Sequence, residues 1–217
     1  MAFRFNKASC VVVGTLNIYI IQPHLLLEIK AIENLENPED AIEFETDFSQ
    51  PGFRFAFPEK KLRCTVRPDR FIAESDVANI DCGGVVGKLV TTLKWTPFKA
   101  LGINSQFSTA DPDDIQKLCA KWIPVFTNST VSSIKQRSVH AAVSVGDSLV
   151  NLQIAIKGNV AEFSANSHFQ LDNRGDRNAI ANVAEKVTND FFEWRRTAQS
   201  LASQLFDLEF ENANDNG

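Results

Sequence analysis

Residues 138–171, SVHAAVSVGDSLVNLQIAIKGNVAEFSANSHFQL, decide the fold class. SVHAAVSV (138–145) and LVNLQIAI (149–156) flank Gly146-Asp147, and VAEFSANSHFQL (160–171) follows Gly158-Asn159. Such pairs between apolar runs are hairpin turns, because both residue types tolerate the positive φ that tight turns demand. Residues 131–171 therefore read as a meander of consecutive strands. Moving toward the N-terminus, the same period of two returns in AIEFETDF (41–48) and in FRFAF (53–57), which places Phe53, Phe55 and Phe57 on one face. KLRCTV (61–66) and RFIAES (70–75) are strands joined around Pro68-Asp69. Their alternating Arg and Glu rule out burial on both faces, so the sheet is expected to be antiparallel with one face wet.

Between and after the strands the period changes to that of a helix. In DCGGVVGKLVTTLK (81–94), Val85, Val86, Leu89, Val90 and Leu93 share a face behind an Asp81 cap. WTPFKALGINSQF (95–107) reads as a strand. DPDDIQKLCAKW (111–122) reads as a helix with Asp111 as cap, Pro112 in the first turn and Asp113 and Asp114 at its positive end. From near Asp176, Ile180, Val183, Val187, Phe191, Trp194, Ala198, Leu201, Leu205 and Leu208 form one stripe. It predicts a terminal helix of roughly 30 residues, about 45 Å long. Residues 9–21 read as a strand, in which Asn17 and Pro23 just beyond it serve to end or bend the chain. Residues 23–34 fit either a short helix starting at Pro23 or an extended segment; ENLENPED (33–40) reads as a loop and 211–217 as a disordered tail.

A faint internal repeat runs through this pattern. INSQF (103–107) matches ANSHF (165–169), a helix follows each, and Ile115-Leu118-Trp122 has the spacing of Ile180-Val183-Val187. The expectation is an α+β domain over 1–210, its antiparallel sheet built from two meander-plus-helix units of about 1–110 and 111–210. Helices, including the long C-terminal one, cover one face. The alternative source of such matches is that any strand–turn–helix produces them. Asn104 and Asn166 are expected to end or bend their strands in the same way as Asn17, their amides satisfying neighbouring backbone and specifying register.

Composition narrows the function. The 217 residues are 44% hydrophobic, with 17 Phe, one Met and a net charge of −5. No basic tract exists to displace counterions from a nucleic acid, so direct nucleic-acid binding is not expected. No apolar run reaches the roughly 18 residues of a membrane helix. MAFRFNKASCVVVG (1–14) lacks the long apolar core and cleavage site of a signal peptide, and reads as strand in a cytoplasmic protein.

Motifs for catalysis do not assemble. His24, His140 and His168 make no HxH or HExxH, and Cys10, Cys64, Cys82 and Cys119 make no CxxC, so neither metal nor cofactor is expected. Buried free thiols suit the cysteines. CGGVVGKLVTT (82–92) resembles a phosphate loop, but Leu89 stands where the hydroxyl after Lys88 is required. Its glycines read instead as a helix start where small residues permit close packing on a strand. Asp111, Asp113 and Asp114 read as capping residues rather than a metal site. Trp95, Trp122 and Trp194 read as core or seam, and Arg195-Arg196 as the wet face of the last helix.

GTLNIYIIQPHLL (14–26), TPFKALGINSQF (96–107) and NSHFQLDNRGD…FFEWRRTAQSLASQLF (166–206) together resemble a group of sporadically distributed bacterial proteins of about this length, whose function is unassigned. The group's pattern is G-x-x-N-x-x-I-x-x-P, then T-P-V/F-x-A-L-G-I-N, then a long helix after an H-F strand. This chain departs at Leu25, where an aromatic is expected. The resemblance implies no catalytic residue. Its sporadic distribution suggests a setting among mobile-element or phage-defence genes.

The reading is a non-enzymatic interaction protein, an accessory subunit of a bacterial multi-protein system. Its partners would be proteins encoded nearby, and it is compatible with a homodimer. Trp194, Leu201, Leu205 and Phe210 on the terminal stripe are the candidate partner-binding residues. The alternative is a small-ligand sensor with a Phe-lined cavity between sheet and long helix.

Overall fold

The computed structural model describes residues 2–33, 35, 42–46, 51–122, 136–171 and 177–211. Its elements, in chain order, are β1 (Ala2–Gly14), α1 (Pro23–Glu28), β2 (Glu43–Thr46), β3 (Phe53–Phe57), β4 (Leu62–Arg67), β5 (Arg70–Ser75), α2 (Cys82–Thr92), β6 (Phe98–Thr109), α3 (Pro112–Trp122), β7 (Gln136–Val145), β8 (Ser148–Lys157), β9 (Val160–Gln170), α4 (Arg177–Asn189), α5 (Phe191–Phe206) and β10 (Glu209–Phe210). This is an α+β fold. Nine strands form one antiparallel sheet in the order β2-β3-β4-β5-β1-β6-β9-β8-β7, and the two-residue β10 adds to β1 in parallel as the tenth.

The hairpin turns fall where the sequence sets them. Val145 pairs with Ser148 and Lys157 with Val160, leaving Gly146 and Gly158 as the turn residues at φ +56° and +58°. Arg67 pairs with Arg70 across Pro68-Asp69.

Helices cover one face. Two apolar clusters lie beneath them: one joins α1, α2 and α4 to β3–β5, the centre of β1 and the first half of β6 (Leu26, Phe57, Phe71, Leu89, Leu101), the other joins α3 and α5 to the second half of β6, β8 and β9 (Phe107, Leu118, Leu152, Phe163, Ala202). β1 serves both. An extra residue at Asn6 shifts its register against β6, between the Phe5–Phe107 and Lys7–Gln106 pairs. The bulge lets Phe3 and Phe5 face the helices on one side of it and Ala8, Cys10 and Val12 on the other.

Several boundaries move. The first strand spans 2–14 rather than 9–21. At its end Gly14 and Leu16 bond to the Pro68-Asp69 turn, and exposed Asn17 accepts from the Tyr19 N–H at 3.0 Å. Asn17 thus ends the strand through a local side-chain turn, as its type favours. Pro23 opens helix α1, which resolves the two readings of that segment. The strand expected from 95 starts at Phe98, and Trp95 is 70% exposed rather than core. Of ENLENPED only Glu33 and Leu35 are described; its other residues, 41, 47 and 48 of AIEFETDF, 131–135, Asp176 and 212–217 lie outside the described residues.

The single terminal helix is corrected to two. α4 ends at Asn189 and α5 begins at Phe191, with Asp190 between them. Thr188-Asn189-Asp190 are poor helix formers, and the Thr188 hydroxyl bonds back to the Ala184 and Glu185 carbonyls, which bends helices. α4 packs on α2, where Gly83 and Gly87 approach Thr188 and Phe191 of the α4–α5 junction rather than a strand, and α5 lies across β6, β9 and β8. Asp207, at φ +57°, stops α5, and Leu208 enters the core beyond it. Residue 211 belongs to the fold rather than to a tail: its N–H bonds the Phe3 carbonyl at 3.0 Å.

Candidate functional site on the uncovered sheet face

No helix among the described residues covers the opposite face, and the pleat aims every second side chain of the strands into it. Register assembles these side chains into rows. The central row runs Arg63–Glu74–Ser9–Asn104–Asn166–Asn151 across β4, β5, β1, β6, β9 and β8. Beside it lies Lys7–Gln106–Ser164–Gln153–His140, and on the other flank Thr65–Ile72–Val11–Gly102–His168–Leu149.

The central row is hydrogen-bonded across strands. Asn166 Nδ2 donates to Asn104 Oδ1, and Asn104 Nδ2 donates to Ser9 Oγ at 3.1 Å. INSQF and ANSHF are direct antiparallel neighbours in the sheet, and their asparagines, rather than ending or bending these strands and satisfying backbone, sit within them and bond side chain to side chain. A depression of about 680 Å³ sits over this amide ladder.

Toward β2 the face becomes basic. Lys7, Arg54, Arg63, Arg67 and Arg70 line a second depression of about 600 Å³ with Glu43 and Glu74. Lys7 pairs with Glu74 at 2.9 Å, Arg63 with Asp76 at 2.7 Å and Arg70 with Asp69 at 2.6 Å. The hydrogen bond from Arg70 holds the Asp69 carboxyl below its ordinary pKa. Among the residues that line this depression, the five cations outnumber the two carboxylates, on a chain whose net charge is −5.

The residues singled out in the sequence are dispersed. Exposed His140 contacts Ser138 Oγ and half-buried His168 contacts Gln170 Oε1, each at 3.2 Å, two strands apart. Among the described residues, no three His, Cys, Asp or Glu side chains gather as metal ligands. Cys10, Cys64 and Cys82 are buried free thiols and Cys119 is half-buried. Burial pushes Cys10 and Cys64 well above the ordinary thiol range and Cys82 up to about 12, so none is a ready nucleophile. Asp81 caps α2 by accepting from Gly84 N–H at 2.9 Å, and Asp111 accepts from Asp113 N–H at 2.9 Å. Asp114 does more than cap: it is buried and accepts from the Ala2 N–H at 3.2 Å.

Of the terminal-stripe candidates, Trp194 meets Phe169 edge-on at 4.8 Å, Leu201 packs against the second cluster, and Phe210 sits 4.9 Å from the Phe107 ring. Leu205 is exposed. Arg195 is not on the wet face with Arg196; it is buried. The amide ladder was missed as a site, though N104-x-Q106 and N151-x-Q153 already alternate amides with core residues. No helix among the described residues is long and apolar enough to cross a membrane. No protein-family model and no curated protein matches the chain.

Proposed function

We propose that the protein is a non-catalytic accessory subunit that binds an acidic segment of a partner polypeptide on the uncovered sheet face. The observation that carries this is the Ser9–Asn104–Asn166–Asn151 ladder flanked by the basic strip. Amide side chains both donate and accept, which matches a peptide backbone, and the arginines match its carboxylates bidentately. A bacterial multi-protein system, its partner encoded by a neighbouring gene, is the proposed setting.

We also infer that the sheet arose by duplication. In each half the first strand (β1, β6) pairs with the last strand of its own meander (β5, β9), and β1 and β6 pair with each other. The halves then divide between Thr92 and Phe98 rather than near residue 110, which assigns β6 to the second and puts INSQF and ANSHF, in β6 and β9, within one half instead of at equivalent places in two.

A photo-crosslinking residue at exposed Gln106, compared with one at exposed Gln204 on the helical side, tests the proposed surface in the native host. A stoichiometric polypeptide captured only from position 106, and lost on joint Arg54→Glu and Arg67→Glu substitution, supports it. Capture only from position 204, or capture of nucleic acid from position 106, refutes it.

A further inference from the structure

The helical side holds a charged group that the partner surface does not use. Arg195, in the second turn of α5, is 7% exposed. Its guanidinium carbon lies 4.7 Å from the Phe5 ring centroid and 5.8 Å from those of Phe191 and Phe192. Among the described residues its hydrogen bond runs from Nη1 to the Ala78 carbonyl at 2.6 Å, and its Nε, shut off from solvent, has no acceptor. Buried arginines are ordinarily matched by a carboxylate, because an uncompensated buried charge is costly. None of the described carboxylates forms an ion pair with this one.

The group borders a cavity of about 620 Å³ between α5 and strands β1, β6 and β10, within the size range of small-molecule sites. Phe5, Phe107, Phe192 and Phe210 supply apolar walls, and Asn79 and Ser200 supply polar atoms. The other charged groups at the cavity are already paired: Arg196 with Glu193 at 2.8 Å, and Glu211 with Arg4 at 2.9 Å. With Nη1 engaged by a carbonyl and Nε enclosed, Nη2 is the donor left for a carboxylate oxygen in the cavity.

We propose that this cavity binds a small carboxylate with a flat apolar body, the carboxylate on Arg195 and the body among the phenylalanines. The aromatic walls explain why the ligand must carry an apolar part, and the unmatched cation explains why it must be an anion. Burial also lowers the Arg195 pKa to about 10, offset only in part by Cys82; the group is still cationic at neutral pH. The site lies on the far side of the sheet from the amide ladder, so it stands or falls separately from the partner surface.

Calorimetric titration of the full chain with phenylacetate and benzoate, against phenylacetamide and benzamide, tests the assignment. At least one carboxylate is expected to bind saturably, its amide and the Arg195→Gln variant binding about 10- to 100-fold more weakly. Because Arg195→Gln also removes the bond to Ala78, Ser200→Phe provides a second variant that blocks the cavity with Arg195 intact. It too should abolish binding. The proposal is overturned by no saturable binding of either carboxylate up to about 10 mM. Equal affinity for acid and amide, or wild-type affinity in a folded variant of either kind, also overturns it.

Discussion

Gly83→Ala reverses an ordinary rule and thereby tests how the helical layer is packed. Inside a helix, alanine is normally more stable than glycine by about 1 kcal/mol. Gly83, in the first turn of α2, faces the Thr188–Phe191 junction between α4 and α5. A Cβ built there would lie 2.5 Å from the Phe191 Cβ and closer still to the Thr188 carbonyl oxygen. Neither is the free end of a flexible side chain, so whole helices must separate. Overpacking of this kind costs about 1–3 kcal/mol, and here the upper end applies because backbone is involved. Subtracting the propensity gain leaves a net loss of about 2 kcal/mol, which in a chain of this size lowers Tm by roughly 4–8 °C. Urea melts monitored by circular dichroism, with unchanged slope, report it directly. Gly84→Ala is the control: its Cβ meets only the Asp81 carboxylate oxygen at 2.8 Å, which can swing away, and it should stay within about 1 kcal/mol of wild type. A Gly83→Ala protein as stable as the parent would refute the close α2–α4–α5 packing.

Ellman's reagent on the native chain at pH 8 should modify at most Cys119, and all four thiols after denaturation. Because Cys10, Cys64 and Cys82 are raised above the unfolded value of 9.0, their stability contribution is present below pH 9 and lost above it; alkaline melts that are flat through pH 9–11 would contradict this. Trp194→Ala should destabilise by about 3 kcal/mol while Leu205→Ser changes stability by less than about 0.5, since one ring is packed on Phe169 and the other side chain is exposed. Equal effects in thermal melts would place the stripe outside the core. Removing 177–217 strips α4, α5 and β10 from the sheet and should leave insoluble protein; a soluble fragment with a cooperative melt would argue against that.

Much of this fold is carried by local chemistry. Gly146, Gly158 and Pro68 fix the turns, alternation fixes the strands, and Asp81 and Asp111 fix helix starts, because each acts within a few residues of itself. The interruption at Asp190 was equally local, written in Thr188-Asn189-Asp190, but the continuous apolar stripe outweighed it. Distant partners are another matter. Asn104 and Asn166 look like repeats in the sequence, and only strand order makes them neighbours. Arg195 beside Arg196 reads as two solvated cations; tertiary packing buries one against Phe5, 190 residues away in the chain, and leaves the other wet. The sequence by itself determined most of the strands and helices, though not the span of β1, the helix at Pro23 or the break at Asp190, and it showed that one sheet face meets water. Only the tertiary structure decided which polar side chains line up across six strands and which charge is enclosed, because those depend on register and layer packing between residues that share no local pattern.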